Sequence, residues 1–348
     1  MKVTFSIITS FFLFFLSLTI RADNIRELVI LNWADYMPVE IITEFEQRHQ
    51  VKIREVYYES DEDRTQVLVN SNGRGYDLIM VSGGDLLSYS QFGFLAPIQY
   101  QKLENYKHLE PRWLSAHEGA AEYALPFFWG TLGIAYRKDL LDTAPNSWLD
   151  IFKPDKALQG RIAMMADGGE ILRIALKALG YSVNSETPKE LKEAQQLALA
   201  QKAYVKAYQY IQIDASSELV SGEIWASMAY NGDAIAVQEY SDNIAFVVPE
   251  EGTYLWVDYW TLAAKAKEPE LAYQFLDFIS RPDIAVRLAQ AFYFASPNRS
   301  AAQLLPADFL SDPAIYPPQE IIEKSELYQQ LSPKAVRRRN IISRSILQ

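Results

Sequence analysis

Cysteine is absent from this chain of 348 residues. That gap excludes disulfides, thiol catalysis, thiolate-bound metals and a lipid-modified cysteine behind a leader. Histidine is scarce. His49, His108 and His117 are the whole supply, none stands beside a plausible nucleophile, and no His-Glu-x-x-His pair occurs. The glycines form no phosphate loop, because Gly73-Arg74-Gly75 runs into Tyr76-Asp77 rather than a lysine or a third glycine. No Gly-x-Ser-x-Gly elbow is present. Basic residues are in deficit, 33 against 44 acids, for a net charge of −11. Such a balance argues against nucleic acid as a partner and draws cationic ligands. After the first 22 residues, no run is long and apolar enough to span a bilayer.

Those first residues read as a secretory leader. Lys2 precedes an apolar run from Val3 to Ile20, and Arg21-Ala22 closes it, with cleavage expected after Ala22. An uncleaved anchor is the alternative. Cleavage would remove Lys2 and Arg21 and no acid, so the mature chain is two charges more negative. A secreted chain large enough to fold without disulfides is expected in the bacterial periplasm, and the length suggests two domains of roughly 150 residues.

Leu28-Val29-Ile30-Leu31 is a short apolar run of the kind a buried strand shows, and it gives way at once to Asn32-Trp33-Ala34-Asp35-Tyr36. Strands at 51–58 and 76–81, with helices at 38–49 and 61–72 between them, make a β-α-β-α-β rhythm. That rhythm predicts an α/β protein with mainly parallel sheets flanked by helices. Pro126-Phe127-Phe128-Trp129-Gly130 reads as a boundary, and a second α/β pattern starts at Thr131. It includes a helix from Glu170 to Leu179 capped by Gly180, a longer helix over 188–210 and a strand over 225–230.

Aromatic and acidic residues cluster at four expected strand ends: Trp33/Asp35/Tyr36, Asp167/Glu170, Tyr230 and Trp256/Asp258. Open α/β sheets place ligands at such ends. Simpler readings stand beside the functional one. Trp33 and Tyr36 can cap the sheet edge, Asp167 and Glu170 can form a helix cap, and Trp256 can be core. With no Arg or Lys interleaved, the clusters suit an organic cation whose ammonium groups meet carboxylates and whose methylenes stack on rings. Trp33 and Trp256 are the expected stacking faces. No metal, cofactor or catalytic residue is implied; a carboxylate-only hydrolase is the enzymatic alternative.

Asn32-Trp33 with Tyr36, Tyr58-Glu59-Ser60, Tyr76-Asp77-Leu78, Pro126 with Trp129-Gly130, Ser147-Trp148, Leu179-Gly180-Tyr181-Ser182, Asn231-Gly232, Trp256 with Asp258, Arg281-Pro282-Asp283 and Pro297-Asn298 recur in this order over residues 26–320. In that order the chain resembles the bacterial periplasmic polyamine-binding proteins, the spermidine/putrescine class of extracellular solute-binding proteins. The resemblance implies a monomeric two-lobed periplasmic binding protein of the type II fold, with its ligand in the interlobe cleft. The lobes expected are 23–130 with 253–298, and 131–252 with 299–348. It also implies ligand contacts from Trp33, Asp35, Tyr36, Ser82, Asp167, Glu170, Tyr230, Trp256, Asp258 and Phe294. Ala34, Gly84 and Phe294 depart from the family pattern by losing a hydroxyl residue, an aromatic and a tyrosine, which predicts an altered preference among polyamines. A family glutamine falls near Tyr328. Two partners are implied: the membrane permease of an ABC importer, or, as the alternative, a membrane-bound sensor protein. The acid-free basic tail, Lys334 to Arg344, bears on that second reading.

Overall fold

The computed structural model describes residues 25–348; the expected leader at 1–22 lies outside that range. The apolar run Leu28–Leu31 is the buried middle of strand β1 (Glu27–Trp33). β1 pairs in parallel with β2 (Lys52–Tyr58) on one side and β3 (Leu78–Ser82) on the other. Asp77 fixes the entry to β3. Its buried carboxylate accepts from Val29 N (2.9 Å), Lys267 N (2.7 Å) and Glu268 N (2.9 Å), so this residue ties three segments together.

The remaining strands among the described residues are β4 (Leu95–Ala96), β5 (Ala124–Arg137), β6 (Ile162–Met164), β7 (Val205–Tyr208), β8 (Ala226–Tyr230), β9 (Ile244–Val247), β10 (Tyr254–Ala263) and β11 (Glu326–Leu327). The main order is β2-β1-β3-β10-β5-β8-β6-β7. Both outer trios are parallel, as the β-α-β rhythm predicts, whereas β10 runs antiparallel to β3 and β5, and β5 to β8. Strand β5 serves both halves: Ala124 to Thr131 face β10, and Leu132 to Arg137 face β8 and β9. β10 is buried throughout and β5 nearly so, as central strands must be.

Three sequence expectations change here. The segment Pro126–Gly130 is the interior of a strand, not a boundary. Asp258 faces Phe128 while Tyr259 faces Pro126, so Phe127 is the extra residue of a β-bulge. A bulge tolerates the proline's missing N–H and re-aims the neighbouring side chains. The helix expected over 188–210 ends at Gln201, because Val205–Tyr208 pairs with β6 instead. The packing does not change at residue 298. Arg299 N donates to His108 O (2.9 Å), and Ala314 and Ile315 join the core of Leu31, Trp129 and Tyr259. The change comes at β11, which pairs with the start of β10.

From there the chain forms the helix Pro333–Leu347, which packs on the helices Gly168–Ala178 and Pro188–Gln201. It is docked rather than a free solvated tail. Arg339 is buried and donates to Ser185 O (3.0 Å) and Val183 O (2.8 Å), while Lys334, Arg337 and Arg344 stay exposed.

Candidate functional site

Strand alternation puts Tyr254, Trp256 and Asp258 on one face of β10. Asp258 lies beside the Phe127 bulge and opposite Ser82 at the end of β3. The Tyr36 hydroxyl donates to its Oδ2 at 3.0 Å. Burial pushes the Asp258 carboxyl up to about 7, and the Asp61 charge adds to the rise; the Tyr36 hydroxyl, Arg64 and Ser82 oppose it. Tyr36 is held by Phe127, Phe128, Phe292 and Phe294, with ring centroids 5.5 to 6.1 Å away.

Phe294 also meets Trp256 edge-on at 4.7 Å, and Tyr230, at the end of β8, meets Trp256 at 6.0 Å. The indole lies over Gly130, where a Cβ would come within 2.4 Å of the ring. Trp33 is half-buried against Tyr58, centroids 4.4 Å apart. Ser82 donates to Asp61 Oδ1 (3.2 Å).

The facing wall is the amino end of the helix Gly168–Ala178. Asp167 caps it, accepting from Gly169 N (2.7 Å) and Glu170 N (3.1 Å), so the capping role weighed from sequence is real for this residue. Glu170 does not complete a capping box. Its Oε1 pairs with Arg173 Nη1 at 2.7 Å, and its Oε2 is buried without a partner. Burial raises the Glu170 carboxyl to about 7; Arg173 opposes the rise and Asp167 adds to it.

The structure thus gathers Tyr36, Ser82, Tyr230, Trp256, Asp258 and Phe294, together with Asp167 and Glu170 on the second wall. Asp61 links the walls, since its charge acts on both Asp258 and Glu170. Asp35 stands apart. It is exposed, has φ 53°, and acts on Glu55 and Tyr57 of the outer strand β2. Among the described residues no group of three or more His, Asp or Glu is placed to hold a metal ion, and no helix is long and apolar enough to cross a membrane.

A family model for bacterial extracellular solute-binding proteins matches residues 40–317. The chain belongs to that family. Its members bind solutes rather than transform them, so this chain is not an enzyme and the hydrolase alternative falls. Over 308 residues the chain is 29% identical to the spermidine/putrescine-binding periplasmic protein of Escherichia coli K12, covering 88% of this chain and 87% of the relative. It is 28% identical to a norspermidine sensor of Vibrio cholerae over 310 residues, 88% and 85% of the two chains. Among solved structures, a spermidine/putrescine ABC transporter substrate-binding protein from Streptococcus pneumoniae superposes with a TM-score of 0.80 at 26% identity, over 92% and 98% of the two chains. The periplasmic relatives agree with the location expected from the leader.

The solute-binding protein differs from the sequence expectation in its cations. Two arginines enter the carboxylate cluster, contrary to the reading that none is interleaved. Arg64 is fully buried and pairs with Asp61 (2.9 Å) and Asp85 (2.5 Å). The Arg173 guanidinium lies 5.2 Å from the Tyr254 ring centroid and 4.7 Å from that of Tyr328. Gly84 is not a gap either. Tyr328 fills it, with Cδ1 only 2.2 Å from where a Cβ would stand.

Asp61, Asp85 and Asp233 were also missed. Burial raises the Asp85 and Asp233 carboxyls to about 6 and about 7, with Arg64 opposing the rise at Asp85. One signal was legible: Arg173 follows Glu170 by one helical turn, the spacing at which side chains pair.

These shifts predict a pH dependence. Unliganded Asp258 and Glu170 hold protons up to about 7, so an ammonium ligand must displace them at lower pH. Affinity should therefore rise between about pH 5 and 8, with protons released on binding. The sign for unliganded stability is opposite. Carboxyls raised by folding contribute stability that is full below their unfolded values and lost as pH rises through about 7. Calorimetry in two buffers of different ionisation enthalpy measures the release; equal affinity at both pH values would contradict this assignment.

Proposed function

We propose that this solute-binding protein is a periplasmic polyamine receptor that delivers its ligand to the permease of an ABC importer. The supporting observation is the charge balance of a buried, aromatic-lined site. Asp61, Asp85, Asp167, Glu170, Asp233 and Asp258 outnumber the two guanidinium groups, Arg64 and Arg173, and burial raises four of these carboxyls. A linear polyamine supplies them: ammonium groups for Asp258 and the Asp167–Glu170 wall, methylenes for Trp33, Tyr230, Trp256 and Phe294. Tyr36 and Ser82 position Asp258, and Asp35 is not assigned a ligand contact. The lobes proposed are 25–130 with 254–324, and 131–253 with 328–348, closing over the ligand.

Titration calorimetry of the mature protein against diamines, triamines and tetraamines tests this reading. Micromolar or tighter binding of at least one, and none of an anionic control, is expected; binding of no amine overturns it. A sensor role is the second reading, favoured by the Vibrio cholerae relative and by the exposed basic face of the last helix. A deletion strain that still imports labelled polyamine but no longer responds to it would select the sensor.

A further inference from the structure

At the Glu170 end the site is already occupied by a cation of the protein's own. More than nine-tenths of Glu170 is buried, with Oε1 on Arg173 and Oε2 unpartnered. The guanidinium stands over the rings of Tyr254 and Tyr328, and its Nε is buried without a partner. Tyr328 in turn rests against Gly84, which follows β3 on the opposite wall. Gly84, Tyr328, Arg173 and Glu170 form one stack from wall to wall. A guanidinium set on aromatic faces and bonded to a carboxylate makes the contacts that a ligand ammonium would make. An arginine keeps its charge at any physiological pH, so this station stays filled.

Resting on the polyamine reading, we propose that Arg173 is the specificity-determining residue of the site: a fixed internal cation, seated by Tyr328, that stands in for one ligand ammonium and selects a diamine over a triamine. At this end the third ammonium of a triamine meets a Glu170 carboxylate that Arg173 already holds through Oε1, and it faces the guanidinium as well. The two remaining ammonium stations are Asp258 and the Asp167 side of the second wall.

Arg173→Gln tests this by competition between putrescine and spermidine, read by titration calorimetry on the full mature chain. The wild type should favour putrescine, and the variant should move the ratio at least tenfold towards spermidine, while Arg173→Lys keeps the wild-type order. Tyr328→Leu, which unseats the guanidinium without removing a charge from the helix, should move the ratio in the same direction by less. It serves as the deciding variant if Arg173→Gln fails to fold. An unchanged ratio in a variant that still binds putrescine overturns the role of Arg173 and leaves the polyamine reading standing. A wild type that binds neither amine overturns both.

Discussion

Asp258→Asn is expected to weaken polyamine binding by about 2–4 kcal/mol, roughly 30- to 900-fold, because a desolvated charge pair loses one member. The substitution is nearly isosteric, and the Tyr36 hydroxyl can still donate to the amide oxygen in place of Oδ2. It also removes a buried charge that burial opposes, with the carboxyl raised to about 7. The unliganded variant should therefore melt no lower than the wild type at pH 8, and higher if Asp258 is fully ionised there. Affinity and stability move in opposite directions only if this carboxylate is kept for a ligand. Titration calorimetry and thermal melts on the same samples decide it. Unchanged affinity would remove Asp258 from the site.

Trp256→Ala is expected to cost about 3–5 kcal/mol of folding stability, the usual price of emptying a large aromatic site. The sequence alone left Trp256 open as a stacking face for the ligand or a core residue. The structure makes it part of the core: the side chain is 8% exposed, lies over Gly130, and is braced by Tyr230 and Phe294. Stability and affinity should thus fall together in the alanine variant. Trp256→Phe separates the two effects, because it retains most of the buried volume. Binding lost at near-normal stability assigns the indole to the ligand; normal binding with a lower melting temperature assigns it to the core alone. Trp33, half-buried against Tyr58, should show the smaller stability cost of the two tryptophans.

Much of the fold was legible because local pattern and tertiary packing agree. The run Leu28–Leu31 is buried whether read as a pattern or seen in the sheet. Gly180, expected to end its helix, has φ 76°, and the following Tyr181 N donates back to Leu176 O at 2.9 Å. Where pattern and packing disagree, packing prevails. Residues 205–208 continue a helical pattern in the sequence, yet they pair with β6, which offers a parallel edge that no window of sequence displays. Pro126 looks like a breaker until the Phe127 bulge gives it a place inside β5.

By itself the sequence pointed to the class of protein through its resemblance to a family, and to the acidic and aromatic character of the expected site, because that character follows from composition and from residues near one another in the chain. Only the tertiary structure decided how the site is charged and closed. Tyr36 and Asp258 meet across 222 residues. Tyr328 fills the space at Gly84 from the far end of the chain, and Arg173 supplies a cation that the strand-end clusters lack. Such pairings depend on which elements the sheet order brings face to face. Side-chain spacing along a helix or strand reports only one of the two faces, and the other is set by folding.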